Sequence, residues 1–169
     1  MVILIGGATH TGKTCLSQKL LERYGFPCLS IDHLKMGLIR SGQTKLTPED
    51  DEELTGYLWP IVREMVKTVI ENRQHLIVEG CYIPFDWRDS FSREYLPHIR
   101  YVCLVMSEGY IRSHMEDILA HANDAEQRLE DEVRLSELVE ENARNRDLCR
   151  RYGCEVIEID GEYQVDFCL

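Results

Sequence analysis

Five short, mostly apolar runs are spaced along the chain: Val2–Ile5, Cys28–Ile31, Leu76–Val78, Tyr101–Met106 and Glu155–Ile159. Each has the length of a strand, and the segments between them carry apolar residues at helical spacing. Alternation of this kind predicts parallel strands covered on both faces and joined by right-handed helical crossovers. Lys13–Tyr24 places Leu16, Leu20 and Leu21 on one face and stops at Gly25, with Pro27 just beyond. Thr47-Pro48-Glu49-Asp50 reads as a helix start with Thr47 as N-cap and Pro48 in the first position. From there Leu54, Leu58, Ile61, Val62, Met65, Val66, Val69 and Ile70 repeat on one face, and Pro60 is expected to kink the helix. Glu108–Ala122 and Asp131–Tyr152 complete the helical stretches, the second ending before Gly153. Residues 121–130 between them are polar and short of apolar anchors, so a mobile lid is expected there.

Composition narrows the class. The chain has 169 residues, enough for a single domain over residues 1–169, with no repeat or low-complexity linker within them. No apolar run approaches the roughly 18 residues of a membrane span, and Met1 opens an apolar run without a basic leader. Thirty acidic against 19 basic residues give a net charge of −11. That balance argues against a nucleic-acid polymer as partner but leaves room for a small anion in a local basic pocket. The seven cysteines form no CxxC pair, and are expected to be reduced thiols in a cytoplasmic protein.

The sharpest motif is Gly7-Ala8-Thr9-His10-Thr11-Gly12-Lys13-Thr14, between the first strand and the first helix. Glycines let the backbone wrap closely, so that successive N–H groups and the helix N-terminus face a phosphate. Lys13 then reaches the β- and γ-oxygens, and the Thr14 hydroxyl can ligate Mg²⁺. Cys15 follows, on the first turn of the helix. A chance match to this pattern is expected about one time in a hundred in a chain of this length, before the strand and helix are required.

The motif and its setting resemble the P-loop kinases of the nucleoside- and nucleotide-kinase type, among them adenylate, shikimate and gluconate kinases, chloramphenicol phosphotransferase and zeta toxins. The resemblance implies a three-layer fold, a five-stranded parallel sheet flanked by helices, with a short lid and an acceptor-binding helical wing. It also implies MgATP as phosphoryl donor and a small-molecule acceptor. Asp32, after the second strand, resembles the aspartate that orients or deprotonates the acceptor hydroxyl. Glu79, closing Leu76–Val78, resembles the acid that holds Mg²⁺ through water. Arg112, in Ser107-Glu108-Gly109-Tyr110-Ile111-Arg112, resembles the arginine that stacks on the adenine, and Arg88 loosely resembles one that grips an acceptor phosphate. The loop around Gly161–Tyr163 would lie near the adenine. No NKxD motif is present, which disfavours regulatory GTPases.

A phosphoryl group in flight also needs guanidinium groups. Arg128 is the best-placed lid arginine, with Arg134 next and Arg144 or Arg146 on the following helix. On the acceptor side Arg40 and Lys45 are the basic residues, and Tyr82, Phe85 and Trp87 are open to pocket or core. The leading reading is an ATP-dependent kinase of a small metabolite. A nucleoside monophosphate kinase and a non-catalytic ATP-binding regulator or toxin-like partner remain as alternatives.

Overall fold

A computed structural model describes residues 1–120 and 134–169. Five strands, β1 (Val2–Gly7), β2 (Cys28–Ser30), β3 (Leu76–Glu79), β4 (Ile99–Met106) and β5 (Glu155–Ile159), form one sheet in the order β2-β3-β1-β4-β5. Every pairing is parallel. Among the described residues six α-helices accompany it: α1 (Lys13–Tyr24), α2 (Ile31–Arg40), α3 (Asp51–Glu71), α4 (Glu108–Ser113), α5 (Met115–Ala120) and α6 (Leu135–Tyr152). The five-stranded parallel sheet with helices on both faces is the expected architecture. Residues 121–133, which include the expected lid and Arg128, lie outside the described residues.

Because side chains alternate across a strand, β1 feeds two cores. Val2 and Leu4 pack with Leu54, Leu58, Val62 and Val66 of α3, whereas Ile3 and Ile5 pack with Leu16 and Leu20 of α1. The same logic explains why the runs read as continuously apolar: all six residues of β1 are buried. Helix α6 reaches both cores, with Leu138 in one and Cys149 in the other. Among the described residues no helix is long and apolar enough to cross a membrane.

Three boundaries differ from expectation. Thr47 does not cap α3. The Asp50 carboxylate accepts from the Thr47 N–H at 2.7 Å and from its hydroxyl at 3.0 Å, closing a separate turn. The helix then starts at Asp51, and it runs on through Pro60. The stretch from Glu108 breaks at His114, where the Ser113 hydroxyl bonds the Gly109 carbonyl at 2.8 Å and the His114 ring stacks on Tyr110. Side chains that bond nearby carbonyls compete with the helix ladder in this way. Finally, Arg134 is extended and α6 begins only at Leu135.

Candidate phosphate-binding and phosphoryl-transfer site

In an open parallel sheet, ligands bind outside the carboxyl ends of the strands where the connections part to either side. Here that place is the end of β1, flanked by β3 and β4. The turn from β1 into α1 is shaped by two glycines. Gly7 has φ 143°, and a Cβ there would lie 2.6 Å from the Leu104 carbonyl of β4. Gly12 has φ 83°, and a Cβ there would meet the Tyr163 hydroxyl, which itself donates to the Thr11 carbonyl at 3.3 Å. The chain after β5 thus closes over the loop. Inside the loop, the buried Thr11 hydroxyl and the Lys13 ammonium both donate to the Ala8 carbonyl, at 2.8 and 2.7 Å. The Ala8 carbonyl thus ties the loop to Thr11 and Lys13, just ahead of the first N–H groups of α1, which have no partner within the helix.

Lys13 is 5% exposed. Burial alone would pull its pKa down, but Cys81, Glu79 and Asp32 hold the ammonium charged and leave it raised. Those residues arrive by register: Glu79 ends β3 opposite Ile5 of β1 and Ser30 of β2, and Asp32 sits in the first turn of α2, straight after β2. Asp32 in turn pairs with Lys35 at 2.7 Å. Lys35 also donates to the Tyr82 hydroxyl at 2.9 Å, and that hydroxyl donates to Asp51 of α3 at 2.9 Å. Burial, then Asp51, push the Tyr82 phenol far up, so it remains a donor.

Another carboxylate comes from α6. Glu141 accepts from the Thr9 N–H of the loop at 3.4 Å. Its helix is pinned by the buried Asn142, which accepts from the Met106 N–H and donates to the Leu138 carbonyl, both at 2.8 Å. Burial pushes Glu141 up, while Lys13 and the Thr9 N–H pull it back.

Among solved structures, the chain is similar to a protein from Chloroflexus aurantiacus j-10-fl described as a candidate kinase, with TM-score 0.54 and 18% identity over 98% of this chain and 91% of that one. A gluconokinase from Sinorhizobium meliloti 1021 aligns at TM-score 0.42 and 20% identity, over 90% of this chain and 93% of that one. A sugar kinase from Janibacter sp. HTCC2649 aligns at 0.48 and 15%, over 89% and 96%. No family model and no curated protein matches the sequence. The first likeness, set beside the strand order and the loop at the end of β1, decides the architecture. The chain shares that protein's fold, a five-stranded parallel sheet flanked by helices.

Within that fold the expected residues divide. Glu79 and Asp32 come together around Lys13 at the loop of residues 7–14, where Thr14 is half-buried and Cys15 exposed. Arg112 is exposed and paired with Glu108 at 2.7 Å. Arg40 lies exposed in the last turn of α2, and Arg134 pairs loosely with Glu137 at 3.5 Å. Arg146 is bound to Glu158 at 2.7 Å, while Arg144 is exposed and attracts Glu141. Arg88 is a correction. It donates to the carbonyls of Tyr152 and Gly153, at 3.2 and 3.4 Å, at the amino end of β5 and so at the far end of the sheet from the loop. A helix end offers unpaired carbonyls, and Arg88 satisfies two of them instead of facing an acceptor. Of the possible pocket aromatics, Trp87 and Tyr82 are core residues and Phe85 packs against that core.

Sequence reasoning did not single out Lys35, Asp51, Cys81 or Glu141. Lys35 had a signal, because it follows Asp32 by three residues on one helix face. Glu141 had none, since only the docking of α6 brings it to the loop.

Proposed function

We propose that the chain, as one unit over residues 1–169, is an ATP-dependent kinase that phosphorylates a hydroxyl of a small metabolite. The observation that carries this reading is Lys13, buried beneath the P-loop and facing the carboxylates that end β3 and begin α2. The likeness in fold to the candidate kinase from Chloroflexus aurantiacus supports the reaction class.

The residues fit a Mg²⁺-bound triphosphate. Gly7 and Gly12 let the loop pack closely against Leu104 and Tyr163 with positive φ, and Lys13 supplies a held positive charge. Among the described residues no group of three or more His, Cys, Asp or Glu side chains converges as a metal site, which suits a Mg²⁺ held largely by phosphate oxygens and water. The Thr14 hydroxyl would ligate it directly, and Glu79 would hold its water. MgATP would supply the phosphoryl group and the metal's charge neutralisation.

The chain's own groups do the rest. Loop amides and Lys13 hold the phosphates in line, the main contribution a loose phosphoryl transfer needs. Asp32 orients the acceptor hydroxyl and takes its proton, and the ion pair with Lys35 holds that carboxylate in place. Arg128 would close over the γ-phosphate, while Arg112 and the Gly161–Tyr163 loop would flank the adenine. On the acceptor side Arg40 is the remaining candidate for acceptor contact. The charge count there favours a hydroxyl acceptor over a nucleoside monophosphate: Lys35 is already matched by Asp32, and Asp51 and Glu141 add further negative charge.

The test is ATP consumption against a panel of sugars, phosphorylated acids and nucleoside monophosphates. Lys13→Ala should lower acceptor-dependent turnover about a hundredfold or more. Asp32→Asn should lower kcat by a similar factor and leave ATP affinity within about twofold. Equal losses of turnover and ATP affinity in Asp32→Asn would remove its catalytic role. Consumption driven by monophosphates alone would favour an adenylate-type kinase, and ATP binding without any acceptor effect a regulator.

A further inference from the structure

A second constellation lies at the opposite end of the sheet. Cys149 is in the last turn of α6, and Cys154 stands one residue past Gly153, whose left-handed φ of 62° ends the helix. The Cys154 N–H bonds the Cys149 carbonyl at 2.9 Å. The two residues therefore occupy the pair of positions whose side chains touch at a helix end of this kind, usually as an apolar contact. Here both are thiols. The neighbouring thiols of Cys103 on β4 and Cys154, together with burial, push the Cys149 thiol far up, and the Cys154 thiol donates to the Phe85 carbonyl at 3.6 Å.

The surroundings of Cys154 distinguish it from an inert core thiol. Cys103 and Cys149 are buried, but Cys154 is half-buried and borders an open recess of about 500 Å³. Trp87, 2% exposed, carries an indole N–H with no hydrogen-bond partner among the described residues. A buried donor left unpaired costs about 1–3 kcal/mol, and that N–H is among the groups that favour a negative sulfur at Cys154. The Cys149 thiol acts in the same direction most strongly, and the Arg88 guanidinium adds its charge; together they outweigh burial and hold the Cys154 thiol down at about 7. From β4, Tyr101 and Cys103 face the same cluster. At the rim Arg100 and Glu155 pair with each other at 3.1 Å.

We propose that Cys154 is a peroxide-reactive thiolate and that Cys149 resolves its oxidation product into a disulfide. In the first step the Cys154 thiolate attacks one oxygen of a hydroperoxide entering the recess. The O–O bond breaks, the sulfur becomes a sulfenic acid, and the departing oxygen takes a proton and leaves as alcohol or water. In the second step the Cys149 sulfur attacks the sulfenic sulfur, forming the S–S bond and releasing water, its thiol proton leaving with the hydroxyl. Two electrons pass from the thiol pair to the peroxide. The backbone bond from Cys154 to Cys149 already holds the two residues side by side at the helix end, and Cys103, buried in the same cluster as Cys149, is available as an exchange partner. This site is independent of the phosphoryl-transfer reading.

The experiment uses the reduced full chain. Iodoacetamide alkylation, read cysteine by cysteine across pH by mass spectrometry, should give Cys154 a midpoint near pH 7, with that of Cys28, which burial pushes up, well above it. One equivalent of hydrogen peroxide at pH 7 should then remove about 2 Da and join residues 147–150 to residues 152–169 in a tryptic digest, the fragment spectrum assigning the link to Cys154 and not Cys168. Cys154→Ser should lower the yield of linked peptide at least tenfold. Cys149→Ser should halt the reaction at a sulfenic acid that dimedone traps on residue 154. Peroxide spread evenly over Cys15, Cys28 and Cys168, or a Cys154 midpoint no lower than theirs, would overturn the proposal. The alkylation profile needs no substitution, so it decides even if a variant fails to fold.

Discussion

Glu141 binds the Thr9 amide of the loop between β1 and α1 with a carboxylate that burial has pushed above its ordinary value of 4.5. A carboxylate raised on folding binds its proton more tightly in the folded chain than in the unfolded one. Its burial is therefore harmless below pH 4.5, where both states are protonated, and becomes a cost as pH rises through 4.5 and the unfolded chain ionises first. Glu141→Gln should melt a few degrees higher than the natural chain at pH 7, with the gain vanishing as pH falls towards 4.5. The same substitution removes a negative charge from the phosphate cradle, so ATP should bind about fivefold more tightly, worth about 1 kcal/mol. Melting curves across pH and calorimetry with MgATP check both outcomes, and a variant unchanged in each would deny Glu141 its place at the loop. Nothing in the sequence separates Glu141 from the other acids. Asp32 was readable because a strand-sized run ends just before it.

At the scale of elements, the junction between β1 and α1 is held by close backbone approach and the interior of α2 is not. Gly7→Ala would drive a methyl against the Leu104 carbonyl, with the Thr11 hydroxyl 2.9 Å away, at a φ of 143°. It should cost about 2 kcal/mol or more and abolish nucleotide binding. Gly37→Ala in α2 meets nothing within 4 Å, and should stabilise by about 0.5–1 kcal/mol. Chemical denaturation of both variants tests the contrast, and equal effects would contradict it. Most element boundaries could be read from the chain: α1 runs from Lys13 to Tyr24 and β5 from Glu155 to Ile159 as expected. Local side-chain bonding defeated the others. Thr47 and Asp50 carry the residue types of a helix start, but their mutual hydrogen bonds close a turn first, and hydropathy carries no trace of that competition.

For the molecule as a whole, a nucleotide that binds only the folded chain should raise its stability by about 2.7 kcal/mol at one hundred times its Kd. For a chain of this size that is a rise of about 5–10 °C in Tm. MgADP should produce it in a thermal melt and EDTA should remove most of it; a melt indifferent to both would count against the nucleotide site. The number of strands and their parallel sense followed from alternating runs and helices. Their order did not, because hydropathy reports that a strand is buried and is silent about its neighbours. That order places the earliest strand of the chain in the middle of the sheet, with Val2 beside both Leu76 and Ile99. On the ribosome, a fully apolar segment must therefore wait for about 70 residues before its first flank is covered, roughly 4–14 s at ordinary elongation rates, and longer for the second. Until then the nascent chain exposes a sticky edge, which makes early synthesis the period when chaperone shielding matters most.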